Sequence, residues 1–315
     1  MDPPRHARTP RAGPTRTLTP RPTEARSVKD LDGKVAVITG GASGMGLAFA
    51  HRFAAAGMKV AIADIEEPAL DAAVDGLREA GADVVGVRCD VADAESVHAL
   101  AATVDEAFGA AHVVCLNAGV ALSGPLHEQT LADWQWILGV NLMGIVHGLD
   151  AFLPGLIERD EGHMVVTASV AGHTAYPSLG PYSATKHAAV AIAESLYNEQ
   201  VAAGSNVGVT ALCPGFVATG IFDSARNRPE NLADALAEPP SAEEVAAREA
   251  FLEMIATEAL RPAEVADMVH DAVLSGTFWV FTDDQHVDNV ENRHGEIRTR
   301  SNPTEGRTIT QDALH

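Results

Sequence analysis

A regular alternation of short apolar runs and helix-patterned segments is the feature that most constrains the fold. The apolar runs are of β type and occupy residues 34–39, 59–64, 83–89, 112–117, 163–169, 206–213 and 278–282. Helical patterning follows a glycine cluster near residue 40 and recurs at residues 67–80, 93–108, 130–158, 181–203 and 262–274. Strands that are apolar throughout are buried on both faces. The chain therefore predicts an α/β, doubly wound Rossmann-type fold: one domain with a seven-stranded parallel sheet and helices on both faces.

Three segments stand outside this rhythm. Residues 1–30 are rich in Pro, Arg and Thr, and we predict a disordered N-terminal tail before a folded domain at 31–282. Within that domain, residues 220–260 form a long polar and Ala-rich insertion. Residues 283–315 read as a polar C-terminal tail, and its "HVDNVENRH" stretch (286–294) has no recognised metal-ligand spacing, so we expect no metal site.

The charge balance limits the partners of the chain. The net charge is −21, with +4 on residues 1–30 and −25 on the remainder. So acidic a body argues against nucleic acid and anionic membrane surfaces as partners. No apolar run is expected to approach the length of a membrane span, and the sequence predicts no signal peptide. Three widely spaced cysteines in apolar runs predict buried thiols and a reducing, cytoplasmic setting: Cys89, Cys115 and Cys213.

A glycine-rich loop joins the first strand to the first helix. Its sequence is "TGGASGMG" (39–46), and its glycines permit a tight turn and a close approach of backbone to pyrophosphate. The loop residues predicted to bind a dinucleotide are Gly40, Ser43, Gly44, Met45 and Gly46. A plain tight turn is the alternative, but the strand–turn–helix context favours phosphate binding.

Asp64 ends the second strand, 18 residues after Gly46. A carboxylate at this place accepts hydrogen bonds from the adenosine ribose hydroxyls and repels a 2′-phosphate. Neither the loop nor the residues that follow Asp64 supply a basic side chain, so the sequence favours NAD over NADP. The alternative interpretation is that Asp64 caps the next helix.

Tyr182 and Lys186 lie one helical turn apart in "GPYSATKHAA" (180–189), with Ser169 at the end of the fifth strand, 13 residues upstream. A cation beside a phenol lowers its pKa from about 10, which makes Tyr182 a candidate acid/base. The Ser169 hydroxyl is placed to donate to a substrate oxygen. A surface Tyr–Lys pair and a structural serine are the alternatives. His173 and Tyr176 are placed by sequence either along the substrate pocket or in a plain loop.

Together with "CDV" (89–91), "NAG" (117–119), "VN" (140–141) and "PGFVAT" (214–219), these residues resemble the classical short-chain dehydrogenase/reductase family over residues 33–282. The resemblance implies that Lys186 also binds the nicotinamide ribose and that Asn141 completes a proton relay through a water. It implies further cofactor contacts from Asp90, Val91, Asn117, Ala118, Gly119, Pro214, Gly215, Val217 and Thr219. One departure is Leu116, where the family often has a second asparagine, which leaves local hydrogen bonding open.

The resemblance implies an NAD-dependent oxidoreductase acting on a secondary alcohol or ketone, with residues 216–260 as a substrate lid. Scattered apolar residues of this lid predict an apolar, uncharged substrate: Phe222, Leu232, Leu236, Phe251, Met254 and Ile255. The alternative is an anionic substrate, which Arg226 and Arg228 of this segment could bind. The helix at 181–203 is apolar beyond one stripe, which predicts a homodimer or homotetramer. The alternatives are a nucleotide-binding regulatory protein without turnover and an epimerase that regenerates NAD within each cycle.

Overall fold

The central sheet is seven-stranded and parallel in the computed structural model, which describes residues 26–304 except 233–244, 247, 248, 251, 254, 256, 258 and 283. Its order is β3-β2-β1-β4-β5-β6-β7. The strands are β1 Val35–Thr39, β2 Lys59–Asp64, β3 Val84–Arg88, β4 Val113–Leu116, β5 His163–Thr167, β6 Gly208–Cys213 and β7 Trp279–Phe281. The predicted doubly wound fold is confirmed. The strand order reverses between β1 and β4, which is where such sheets bind ligands.

Helices cover both faces of the sheet. They are α1 Gly44–Ala55, α2 Glu67–Glu79, α3 Ala94–Phe108, α4 Leu131–Leu138, α5 Gly144–Arg159, α6 Gly180–Ala203, α7 Pro262–Ser275 and α8 Gln285–Thr299. One core layer contains Phe49 and Phe53 of α1 with Val269 of α7. The opposite layer contains side chains of α3, α5 and α6, such as Leu100 and Phe152. Because both faces are covered, the strands between them are apolar throughout.

The segment predicted as one helix over 130–158 is interrupted. A π-helical turn at Gly139–Met143 separates α4 from α5 and carries the buried Asn141. Contrary to the sequence-based expectation, the stretch Leu131–Arg159 is long and apolar enough to cross a membrane. Core helices of soluble proteins meet the same two criteria, and here Trp136, Phe152 and Leu156 are buried within the protein. This stretch is therefore weak evidence for a membrane span.

The two ends of the domain differ from the predicted boundaries. The expectation of disorder up to residue 30 is wrong for residues 26–30, because Val28 is 1% exposed and the Arg26 side chain donates to the Ser205 carbonyl at 2.6 Å. Residues 1–25 lie outside the described residues. The predicted polar tail contains helix α8, which apolar periodicity did not signal because its side chains are mostly polar. Within the lid, short 3-10 helices span Gly220–Asn227 and Glu230–Leu232, whereas Leu236, Phe251 and Met254 lie outside the described residues.

Candidate active site

A cavity of about 370 Å³ opens at the carboxyl ends of the central strands. Nearly all of the residues predicted from the sequence line it: Gly40, Ser43, Gly44, Met45, Asp64, Asp90, Val91, Asn117, Ala118, Gly119, Ser169, Tyr182, Lys186, Pro214, Gly215, Val217 and Thr219. Gly46 and Asn141 are buried and do not belong to the lining. The parallel sheet gathers these residues, which are distant in sequence, because all its strands end at one edge.

The glycine loop at 39–46 fits a pyrophosphate. A Cβ on Gly46 would lie 2.0 Å from the Gly40 carbonyl oxygen, so no larger residue fits there without a backbone shift. Gly40 itself has a φ of 64°, which favours glycine, and a Cβ on it would lie 2.9 Å from the Ala118 Cα. Ser43 occupies the N-cap of α1 without a side-chain capping bond. The start of α1 therefore presents backbone N–H groups and its positive dipole end to the cavity.

The Asp64 carboxylate is oriented by backbone donors. Its Oδ2 accepts from the Ala42 N–H at 3.0 Å, and its Oδ1 accepts from the Glu66 N–H at 3.1 Å. Helix α2 begins at Glu67 with Glu66 at the N-cap position, so Asp64 is not the helix cap. The geometry fits a ribose-binding carboxylate held against the glycine loop.

Asp90 is likewise not a helix cap. The cap of α3 is Asp93, which accepts from the Glu95 N–H at 3.1 Å. Asp90 instead accepts from the Ala92 N–H at 2.9 Å in the turn that borders the cavity. A similar result holds for Thr219, which precedes the 3-10 helix at Gly220–Asn227 but makes no side-chain capping bond to it.

Asn117 joins three strand ends. Its Nδ2 donates to the Thr39 carbonyl at 3.0 Å, and its Oδ1 accepts from the Thr167 hydroxyl at 3.4 Å. Leu116, the departure from the family pattern, is 3% exposed and packs against α5. A Cβ built on Gly148 of α5 would lie only 2.3 Å from the Cδ2 atom of Leu116. Leu116 is therefore a packing residue, and the polar contacts at this place come from Asn117.

Asn141 is 1% exposed and fixed by backbone groups on the neighbouring loop. Its Oδ1 accepts from the Val120 N–H at 2.8 Å, and its Nδ2 donates to the Val120 carbonyl at 2.9 Å and to the Thr185 hydroxyl at 3.2 Å. A Cβ on Gly119 would lie 3.6 Å from Asn141 Oδ1 and 3.7 Å from Lys186 Nζ. Gly119 thus stands between the amide and the ammonium.

Helix α6 brings Tyr182 and Lys186 together, and it starts at Gly180 with Pro181 in its first turn. Lys186 Nζ lies 5.6 Å from the centre of the Tyr182 ring and donates to the Thr167 carbonyl at 2.8 Å. Ser169 hydrogen-bonds to Tyr182, and its Oγ accepts from the Ala171 N–H at 3.1 Å. Three of the four predicted catalytic side chains, Ser169, Tyr182 and Lys186, therefore meet at one end of the cavity.

The pKa of Tyr182 is shifted in the direction opposite to the one that its pairing with Lys186 predicts. Burial raises the pKa of the Tyr182 phenol, and the hydrogen bond with Ser169 opposes this only in part. Burial also lowers the pKa of Lys186 to about 8, slightly opposed by Cys213. Because the two groups lie side by side, the loss of a proton belongs to the pair rather than to either side chain alone.

Sequence reasoning missed a contact between the lid and the loop after β2. Arg226 and Asn227 both donate to Glu66 Oε1, and all three residues line the cavity. No sequence signal marks this pairing because its partners are about 160 residues apart. The apolar part of the cavity lining contains Phe222 and Leu232, which the sequence assigned to the lid, and six residues that sequence reasoning missed: Val120, Trp136, Val140, Leu179, Phe216 and Ile221.

The two side chains offered for the substrate pocket lie elsewhere. His173 packs against Trp279 and Phe281, with its Nε2 3.4 Å from Cys213 Sγ, and burial lowers its pKa to about 4. Tyr176 is 4% exposed and packs with Ala171. Neither belongs to the cavity lining. Across the part of the chain that the structure describes, no three His, Cys, Asp or Glu side chains gather as a metal-binding group.

Comparisons with known proteins agree with this geometry. Residues 34–230 match the family model described as short chain dehydrogenase. The chain is 31% identical over 277 residues to a CLA biosynthesis dehydrogenase/reductase of Lactiplantibacillus plantarum, covering 88% of this chain and 97% of that protein. It is 36% identical to a 2-(R)-hydroxypropyl-CoM dehydrogenase of Xanthobacter autotrophicus, and this match covers 67% of this chain and 85% of that protein.

A solved structure extends the match to three dimensions. It is a short chain dehydrogenase/reductase from Burkholderia phymatum in complex with NAD, and it superposes with a TM-score of 0.84 at 43% identity. The superposition covers 89% of this chain and 99% of that one. With the glycine loop and the cluster at Tyr182 in place, the chain belongs to the short chain dehydrogenase family of NAD(P)-binding oxidoreductases.

Proposed function

We propose that the protein is an NAD-dependent oxidoreductase that transfers a hydride between nicotinamide and a secondary alcohol or ketone. The observation that carries this proposal is the meeting of Ser169, Tyr182 and Lys186 in the same cavity as the glycine loop. When bound, the nicotinamide would accept or supply the hydride. The chain itself must then hold the substrate oxygen and move one proton.

Ser169 and Tyr182 are suited to these two tasks. The Ser169 hydroxyl donates to the substrate oxygen and orients it towards Tyr182. In the reduction direction, Tyr182 gives its proton to the carbonyl oxygen, which suits a phenol whose pKa burial raises. In the oxidation direction it must lose that proton first. The buried Lys186 next to it assists this loss. Once the pair has lost one proton, the ammonium–phenolate form has the same total charge as the neutral amine–phenol form, so forming the phenolate adds no net charge to the site.

Lys186 and Asn141 complete the proposed proton path. In this proposal Lys186 holds the nicotinamide ribose, as the family resemblance implies, and also assists Tyr182. The Asn141 amide lies across Gly119 from Lys186 Nζ, and its oxygen is fixed by the Val120 N–H. In this position it can hold the water that connects Lys186 to solvent, the role that the family resemblance implies.

The preference for NAD follows from charge at the adenosine end. Asp64 is held at the cavity by two backbone donors, and Glu66 lies two residues further along. Arg226 of the lid is the basic group that contacts this wall, and it is hydrogen-bonded to Glu66. An acidic wall of this kind accepts ribose hydroxyls and repels a 2′-phosphate. The NAD complex of the relative from Burkholderia phymatum supports the same preference.

The substrate is proposed to be apolar and uncharged. The wall beside Tyr182 is built from Trp136, Leu179 and Leu232. Arg228, one of the two candidates to hold an anion, lies over the Trp136 ring and is paired with Asp133. An apolar cavity of this kind gains affinity from apolar contact area rather than from a charge pair.

We further propose a cytoplasmic homodimer or homotetramer. Apolar side chains are exposed on the helices that cover one face of the sheet, among them Val146 and Ile157 of α5 and Val201 of α6. Burial of these side chains against a second subunit would remove them from water.

The experiment is a panel of secondary alcohols and ketones, run with NAD⁺ and NADP⁺ in parallel while NADH absorbance is followed. Tyr182→Phe should lower kcat by about 10²- to 10⁴-fold. Tyr197→Phe is the matched control, because Tyr197 lies on the same helix but packs on Phe278. Full turnover by Tyr182→Phe would remove the proposal.

The same panel separates the alternatives. Binding of NADH with no turnover on any substrate would indicate a regulatory protein. Conversion of a substrate into its epimer without net NADH would indicate that the cofactor is regenerated within each cycle.

A further inference from the structure

One carboxylate connects the lid to the adenosine end of the cavity. Glu66 Oε1 accepts hydrogen bonds from Arg226 Nε at 3.0 Å, Arg226 Nη2 at 2.7 Å and Asn227 Nδ2 at 2.7 Å. We propose that Glu66, Arg226 and Asn227 form a latch that holds the lid over the bound dinucleotide and sets how fast it dissociates. This inference rests on the proposed binding of NAD.

The latch joins two opposite walls of the cavity. One wall carries Asp64 and Glu66, which follow β2. The other carries Ile221, Ser224 and Arg226 of the lid. A ligand that lies between these walls can leave this end only when they separate. Dissociation should therefore include the breaking of the contacts at Glu66.

The Arg226 guanidinium is organised by its own helix before it meets Glu66. Its Nη1 donates to the Gly220 carbonyl at 3.2 Å and to the Asp223 carbonyl at 2.8 Å. The Nε and Nη2 groups then face Glu66 together. Because the guanidinium is fixed at both ends, little side-chain entropy is lost when the latch closes.

Electrostatics strengthen the contact in the closed arrangement. The hydrogen bond from Arg226 lowers the pKa of Glu66, and the hydrogen bond to Glu66 raises the pKa of Arg226. Both groups therefore remain charged at neutral pH. The pair is partly exposed, with side chains 37% and 29% accessible, so salt should weaken it.

Two further contacts attach the lid on the side of the substrate pocket. Ser224 Oγ accepts from the Ala121 N–H at 3.1 Å, and Arg228 forms an ion pair with the buried Asp133 of α4. The lid thus lies across the cavity between α4 and the loop after β2. Loss of the Glu66 contact should loosen the adenosine end while the substrate end stays attached.

The test is the dissociation rate constant of NADH, measured by stopped-flow fluorescence on the full chain. Glu66→Gln keeps the shape but removes the charge, and should raise this rate constant by about fivefold to tenfold. Glu67→Gln is the matched control, because Glu67 is the exposed neighbour in α2. Its rate constant should stay within about twofold of the unaltered protein.

A second variant tests whether the partners act as one contact. Arg226→Gln should raise the dissociation rate constant of NADH as much as Glu66→Gln does. The rate constant of the double variant should be close to that of either single variant, because both substitutions remove the same contact. Added salt should speed NADH release from the unaltered protein and have a smaller effect on Glu66→Gln.

Equal rate constants for Glu66→Gln and Glu67→Gln would overturn the latch. So would a Glu66→Gln protein that releases NADH at the original rate but binds NADP more tightly, since Glu66 would then act only as a repelling charge. Failure of the unaltered protein to bind NADH would overturn the proposed function as well. Normal NADH binding with no effect at Glu66 would remove the latch alone.

Discussion

Lys186 Nζ donates to the carbonyl oxygen of Thr167, the last residue of β5, at 2.8 Å. A neutral carbonyl does not compensate the burial of an ammonium as a carboxylate would, and the pKa of Lys186 falls to about 8. Burial at the same time raises the pKa of the neighbouring Tyr182. The pair therefore loses a first proton near pH 8, and the proton that remains is shared between the two groups.

This sharing predicts the pH dependence of alcohol oxidation. In the unaltered protein, the rate should rise through about pH 8, because loss of one proton from the pair admits the ammonium–phenolate form. In Lys186→Met, the proton must come from Tyr182 alone, whose pKa burial raises. The rise should therefore move to higher pH, with a loss of about a hundredfold in rate at neutral pH.

Initial rates of NADH formation across pH measure this shift. Lys59→Met is the matched control, because Lys59 also lies over an aromatic ring, that of Phe108, but is far from the cavity lining. Its profile should follow that of the unaltered protein. An unchanged profile in Lys186→Met would contradict the shared proton.

Gly46 is predicted to tolerate no side chain. In Gly46→Ala the new Cβ would lie 2.0 Å from the Gly40 carbonyl oxygen, so the loop must shift and its N–H groups must leave their positions. NADH affinity should fall by at least about tenfold, since several phosphate contacts weaken together. Isothermal titration with NADH measures the loss.

Gly76→Ala serves as the control for this substitution. Gly76 lies in α2, and a Cβ on it would meet no atom within 4 Å. It should bind NADH normally and gain up to about 1 kcal/mol in free energy of unfolding, because alanine favours helix. Equal NADH affinity in the two variants would show that the glycine loop does not hold the phosphates.

Asp64→Asn is predicted to weaken the preference for NAD. The amide keeps one acceptor for the Ala42 N–H but loses the charge that repels a 2′-phosphate and strengthens the bonds to the ribose hydroxyls. The Kd for NAD should rise about tenfold, with a smaller change for NADP. Asp71→Asn, on the exposed face of α2, should leave both constants unchanged. A ratio of the two constants that stays the same in Asp64→Asn would contradict this role.

The parts of the fold that follow from local patterns were predictable. The apolar runs gave the strands because a buried parallel sheet needs side chains that are apolar on both faces. Pro181 and the spacing of Tyr182 and Lys186 placed both on one helical face. The spacing from Gly46 to Asp64 similarly placed a carboxylate beside the glycine loop.

The parts that depend on distant neighbours were not predictable. The π-helical turn that presents Asn141 has no sequence signal of its own, because it depends on how α4 and α5 meet the sheet. The contact of Glu66 with Arg226 joins residues about 160 positions apart. The pKa of Lys186 depends on its burial, which only the folded chain determines. Helix α8 was missed because its side chains are mostly polar.

His163 is predicted to make the protein sensitive to mild acid. It is fully buried in β5, where its Nε2 lies 2.7 Å from the Thr210 hydroxyl, and burial lowers its pKa from 6.5 to about 3. Between these two values the unfolded chain binds the proton and the folded chain does not, so stability falls as pH falls. Above about pH 6.5 the free energy of unfolding is not reduced by His163. Between pH 7 and pH 5 this free energy should decrease by about 2 kcal/mol.

Denaturant unfolding at pH 7 and pH 5, at one protein concentration, measures this decrease. His163→Gln removes the titrating group, so its free energy of unfolding should be lower at pH 7 but should change less on acidification. His51→Gln, at an exposed position of α1, should retain the full decrease. If His163→Gln lost as much stability between pH 7 and pH 5 as the unaltered protein, another group would be responsible for the acid sensitivity.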